Sequence, residues 1–150
     1  SLLPAVSLPS APAGAMVDLR RGRGPRVVVA LHSAVCEECR RYVRAELAAH
    51  MGALTEWGGH LLVVVPGVLE SAADFPELTP DVQVLGDPEL TFASGDAIVA
   101  VADEWGEVYF AAIAGAEHAF PTPEEITEWV RLIAIQCPEC EGPEGEWKTV

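Results

Sequence analysis

The period of the apolar positions changes several times along the chain, and each change marks an element. "RVVVALHS", residues 26–33, is an unbroken β-branched run closed by polar residues, the pattern of a central parallel strand buried on both faces. From Cys36 the period lengthens. Cys39, Val43, Leu47 and Met51 recur every fourth residue with Arg40, Arg41, Arg44 and Glu46 between them. That spacing predicts a helix of about four turns starting at or just before Cys36. "HLLVVVPG", residues 60–67, returns to a buried strand. Strand, helix and strand make a βαβ unit, so the sheet is at least partly parallel with a right-handed crossover.

The flanking segments complete the pattern. Residues 1–16 are rich in proline and alanine, and "AMVDLRRGRGP" adds an extended piece and a Gly/Pro turn, which together predict an N-terminal hairpin. Residues 69–95 combine turns with a short helix and a strand at Val82 to Leu85. "AIVAVADEWGEVYFAAIAG" reads as two strands of an antiparallel hairpin around the turn Asp103 to Gly106. The last helix carries the strongest start signal: Thr122 as N-cap, Pro123 in the first position, Glu125 to complete a capping box, then the stripe Ile126, Trp129, Val130 and Ile133. Pro138 is expected to stop it at Gln136 or Cys137. The charged, glycine-rich tail "EGPEGEWKTV" predicts no packed structure.

At 150 residues, half of them apolar, the chain fits one domain with its own core. Nine basic against 23 acidic residues give a net charge of -14, which repels nucleic acid phosphates and anionic lipid alike. No apolar run reaches the ~20 residues of a membrane span. Small-molecule or protein partners remain, with a protein that is soluble. The N-terminal stretch lacks a basic region ahead of its apolar residues, so it does not read as a secretory signal. All four cysteines fall in two CxxC pairs, Cys36/Cys39 and Cys137/Cys140. Paired spacing argues for redox or metal chemistry in a reducing compartment, the cytoplasm, over a secreted disulfide framework.

The first pair lies where a strand gives way to a helix. Free amides and the positive dipole end at a helix N-terminus stabilise a thiolate on Cys36, while Cys39, three residues on, falls on the core-facing stripe. Cys36 is then the attacking thiol and Cys39 the resolving one. Glu37 and Glu38 oppose the thiolate, and Arg40 and Arg41 offset them in part. His32, near the strand's end, and His118, in the loop "AGAEHAFPT", are candidates for proton transfer. His50 and His60 have no special placement, and Trp57 and Trp105 read as packing residues beside turns.

The opening "LPAVSLPSAPAGAMVDLRRGRGPRVVVALHSAVCEEC", with "GDPEL" and "AVADEWGEVYFAA", resembles the redoxins of the peroxiredoxin and thiol-disulfide oxidoreductase superfamily over roughly residues 3–135. The resemblance implies a thioredoxin-like α/β fold for residues 1–136, a central mixed sheet flanked by helices with a redoxin-type N-terminal hairpin. The reading calls for no cofactor and names no metal ligand. The resemblance also implies a dithiol cycle that acts on a protein or small-molecule disulfide and draws electrons from a separate donor. Several positions depart from the family pattern. Ala30 occupies the slot of the thioredoxins' buried acid, and Ala97 that of their cis-proline. Ser33 matches the hydroxyl residue of the peroxiredoxins, but Val29 stands where they carry proline, and no arginine lies between Arg44 and Arg131.

The second pair, "CPEC", follows the last helix. Together the pairs form a nominal four-thiolate zinc set, but their separation far exceeds ribbon spacing, and a helix running away from the active-site end carries Cys137 about 20 Å off. A second redox couple, a disulfide locking the tail, or a metal knuckle shared with another subunit remain. The reading is a thiol-disulfide oxidoreductase; the alternatives are a zinc-binding or structural interaction module on the same scaffold and, third, a thiol peroxidase.

Overall fold

A computed structural model of the chain describes residues 1–11, 14–68, 82–92, 96–115 and 117–136. Cys137, Cys140, the acidic tail and the short helix expected ahead of Val82 lie outside these residues. The N-terminal hairpin is present: β1 (Ser7–Pro9) pairs antiparallel with β2 (Met16–Asp18), Leu8 opposite Val17. Five strands form the central sheet in the order β5-β4-β3-β6-β7. They are β3 (Arg26–Ala30), β4 (His60–Pro66), β5 (Val82–Asp87), β6 (Ile98–Ala102) and β7 (Val108–Ile113). β3, β4 and β5 run parallel, and β6 and β7 are added antiparallel. This is the mixed sheet expected, with β5 longer than the strand predicted there.

The apolar run of β3 serves two cores because alternate side chains leave opposite faces of the sheet. Val27 and Val29 pack with Leu61, Val63, Val99 and Val101 beneath the helices. Val28 and Ala30 pack with Leu62, Val64 and Ala100 against Leu3, Leu8 and Leu19 of the N-terminal segment. Full burial of each large aliphatic side chain contributes about 1.5–3 kcal/mol, which makes the central strand the best-anchored part of the chain. At the far end of β3 the buried guanidinium of Arg26 donates to the carbonyls of Asp18, Leu19 and Asp103, tying the hairpin to the sheet. Burial lowers its pKa, against the attraction of Asp18 and Asp103.

The helix predicted after Cys36 keeps its buried stripe but not its regularity. It comprises α1 (Glu37–Arg41), a π-helical segment Tyr42–Leu47, a 3₁₀ turn Ala48–His50 and α2 (Met51–Glu56). A π turn is wider than an α turn. Tyr42 and Val43, at its start, are both buried. α3 (Pro123–Ala134) starts as expected: Thr122 Oγ accepts from the Glu125 N–H at 3.1 Å, and Ile126, Val130 and Ile133 are buried. It stops earlier than Pro138 would impose. The Gln136 N–H bonds the Ile133 carbonyl at 3.2 Å, so the chain tightens into a 3₁₀-type turn while still short of the proline. No helix among the described residues is long and apolar enough to cross a membrane.

Register decides which loops meet. Ala30 lies opposite Val64 and Ile98, and Ile98 opposite Ile113. The chain therefore leaves β3 and β7 at the same end of the sheet. The loops carrying Cys36 and His118 are neighbours there although 82 residues separate the two positions.

Candidate functional site

Cys36 is the N-cap of α1, with extended φ/ψ of -70° and 117°. The free amides of the helix N-terminus are the expected partners of its sulfur. No cap hydrogen bond from the side chain forms, and two other groups contact the sulfur instead. His118 Nε2 lies 3.3 Å from Cys36 Sγ, and Glu38 Oε1 accepts from the thiol at 3.6 Å. Glu38 is exposed, and its own backbone N–H, then the Cys36 thiol and His118, hold its carboxyl below the ordinary value.

Cys39 is fully buried, as its place on the apolar stripe predicted, and His32 Nδ1 lies 3.5 Å from its sulfur. Burial pushes the Cys39 thiol up to about 12, with the hydrogen bond and charge of Cys36 adding to the effect. The His32 and His118 rings are 5.3 Å apart and tilted by 46°. The four donor atoms of His32, Cys36, Cys39 and His118 all lie within 4.8 Å of one another. Both candidate histidines thus converge on the first cysteine pair.

His118 is held by its loop in an uncommon conformation. Its φ is +56°, a left-handed geometry rare outside glycine though enriched in histidine. The loop closes on itself through Ala119 N–H to the Ala114 carbonyl at 3.0 Å and His118 N–H to the Gly115 carbonyl at 3.1 Å. Tyr42 then ties it to the helix: its hydroxyl donates to the Pro121 carbonyl at 2.7 Å, and its ring stacks on Phe120 at 4.1 Å and 9°. Burial raises the Tyr42 hydroxyl's pKa, so it remains a donor. On the other side Arg40 Nη1 donates to the Ala34 carbonyl at 2.9 Å and fixes the turn that leads into Cys36.

Sequence reasoning missed Tyr42, Phe120 and this role of Arg40. Tyr42 does carry a signal, since it stands three residues after Cys39 and so on the same helix face. Arg40, expected to offset the acidic pair, acts here through a backbone carbonyl. Ser33 accepts from the Val35 N–H at 3.2 Å, a turn contact. Ala30 is an ordinary sheet residue, and the Ala97 carbonyl accepts from the Ala114 N–H at 2.9 Å, closing the strand end below the His118 loop.

No family model and no curated protein matches the chain. Solved structures do. The bacterioferritin comigratory protein of Xanthomonas campestris, studied for alkyl peroxide reduction, superposes with a TM-score of 0.71 at 12% identity, over 89% of this chain and 97% of that one. A peroxidoxin of Mycobacterium tuberculosis gives 0.70 at 14% identity, over 91% and 97%. A peroxiredoxin-like protein of Aquifex aeolicus gives 0.64 at 14%, over 89% and 85%. The fold is thioredoxin-like, in the form these peroxiredoxins share.

Proposed function

We propose that the chain is a two-cysteine thiol oxidoreductase that reduces hydroperoxides. The observation that carries this is the imidazole nitrogen of His118 at 3.3 Å from Cys36 Sγ, with Cys39 adjoining, in a fold shared with peroxide-reducing proteins. His118 takes the Cys36 proton. The thiolate attacks the outer oxygen of the hydroperoxide, the O–O bond breaks, and the leaving alkoxide takes the proton back from His118 as the alcohol. Cys36 is now a sulfenic acid. The Cys39 sulfur displaces its hydroxyl: His32 takes the Cys39 proton and passes it to the departing hydroxide, which leaves as water, and a Cys36–Cys39 disulfide forms. A dithiol reductant restores both thiols by exchange. The cytoplasm suits such a cycle, because its thiol pool keeps the resting pair reduced.

This reorders the functions read from the sequence, where the peroxidase stood third. Thiol-disulfide exchange remains as the second reading, favoured by Val35, an apolar side chain 79% exposed immediately before Cys36 and suited to contact with a protein disulfide. The two separate in one experiment. The reduced full-length chain is supplied with hydrogen peroxide or an organic hydroperoxide and an excess of dithiol, and peroxide loss is followed beside reduction of a protein disulfide. Peroxide turnover lost in Cys36→Ser, with dimedone-trapped sulfenic acid on Cys36 in Cys39→Ser, is expected. His118→Ala should slow it by about a hundredfold, the scale of a lost general acid-base group. Disulfide reduction without peroxide consumption would replace this reading by the second.

A further inference from the structure

We infer that the reduced site is also a mononuclear metal site, in which Cys36, Cys39, His32 and His118 bind one zinc ion. The inference concerns the same side chains as the redox cycle but does not depend on it. Two thiolates and two imidazoles are a tetrahedral zinc donor set, with Zn–S of about 2.3 Å and Zn–N of about 2.0–2.1 Å. Donors at those lengths around a tetrahedral ion stand roughly 3.3–3.8 Å from each other. Here the sulfur of Cys36 and Nε2 of His118 are 3.3 Å apart, and the sulfur of Cys39 and Nδ1 of His32 are 3.5 Å apart. All six separations fall within 4.8 Å, so the set closes to a coordination shell by side-chain adjustments of about an ångström or less. Two imidazoles sharing such an ion have ring centres about 5 Å apart. The observed value is 5.3 Å.

The scaffold supports the arrangement from three separate segments. His32 comes from the end of β3, the cysteines from the start of α1, and His118 from the loop after β7. The Tyr42 tether and the left-handed backbone of His118 hold the one ligand distant in sequence. This differs from the zinc set suggested by the two CxxC pairs, since neither Cys137 nor Cys140 takes part. Binding is a simple exchange of protons for the cation: two thiols lose two protons and the zinc ion gains two thiolates, with no change of oxidation state. The Cys36–Cys39 disulfide offers no thiolate, so oxidation and metal binding exclude each other. Zinc occupancy then shields the pair from peroxide, and oxidation releases the ion.

The test uses the reduced, chelator-treated full-length chain with cobalt(II) as a spectroscopic probe, followed by zinc in competition with a chromophoric chelator. One equivalent of cobalt should give the thiolate charge-transfer and intense visible bands of a tetrahedral site, and one equivalent of zinc should erase them. Cys137→Ser/Cys140→Ser should bind as the parent does. His32→Ala and His118→Ala should each weaken zinc by more than the ~10–100-fold that loss of an outer-shell partner produces. His32 is exposed, so its variant folds whether or not His118→Ala does. The inference is overturned if tetrahedral bands are missing, if both histidine variants bind normally, or if the tail serines abolish binding. Peroxide turnover by the metal-free chain, measured apart, tells failure of this inference from failure of the redox reading.

Discussion

Tyr42→Phe removes one oxygen and leaves the ring, so it isolates the tether that holds the His118 loop. The hydroxyl donates to the Pro121 carbonyl at 2.7 Å, while the stack on Phe120 at 4.1 Å survives the substitution. A net hydrogen bond contributes about 0.5–1.5 kcal/mol, and leaving a buried acceptor unpaired costs about 1–3 kcal/mol. Pro121 is partly exposed, so water reaches its carbonyl and the lower part of the range, about 1 kcal/mol, applies. That loss is comparable with the ~1–2 kcal/mol by which a left-handed backbone disfavours a residue bearing a Cβ, as at His118. The loop should therefore open locally before the sheet does. One kcal/mol raises an opening equilibrium about fivefold. Hydrogen exchange at the Ala119 amide, which bonds the Ala114 carbonyl, should quicken about fivefold beyond any change at Val28 and Val63 in the central sheet. Uniform acceleration across loop and sheet, or none at Ala119, would refute the idea that Tyr42 holds this loop as a local unit.

Three further outcomes follow from Cys39 and Arg26. With its thiol pushed up to about 12 from 9.0, Cys39 at pH 8 carries roughly a thousandfold less thiolate than an ordinary cysteine, so pulsed alkylation with mass mapping should label Cys36 long before Cys39; comparable labelling would contradict the buried placement. Because the folded pKa of Cys39 is the higher one, its contribution to stability is complete below about pH 9 and falls between 9 and 12, by at most about 1.4 kcal/mol per pH unit. Denaturant midpoints of the reduced protein across that range should decline less steeply in Cys39→Ala, and an unchanged slope would be inconsistent with the shift. At the opposite end of the sheet, Arg26→Met strands three carbonyl acceptors and should lower stability by about 2–4 kcal/mol without altering the metal-free cysteines' reactivity; a loss under about 0.5 kcal/mol would show that water replaces the guanidinium.

Much of this molecule is legible in one dimension. The β-branched run at 26–30, the four-residue stripe from Cys39 to Met51, the turn at Asp103 to Gly106 and the cap at Thr122 each state a local preference that the fold respects. Cys36 and Cys39 are likewise marked by their position between strand and helix. Periodicity in a sequence reports which side of an element is buried, and burial is what the core enforces. It carries no information about helix pitch, so the π segment Tyr42–Leu47 was invisible, as was the early stop at Ala134. Nor does it say what a cysteine at an N-cap touches. The helix amides, a local feature, looked like the partners of Cys36, whereas the nitrogen in hydrogen-bond range of its sulfur belongs to His118, 82 positions later. That contact exists because β7 runs back alongside β6 and ends level with β3. His118 was one of four histidines by sequence, two of them candidates. Strand register, a property of pairing between distant segments, is what turned two of these histidines and two cysteines into one site.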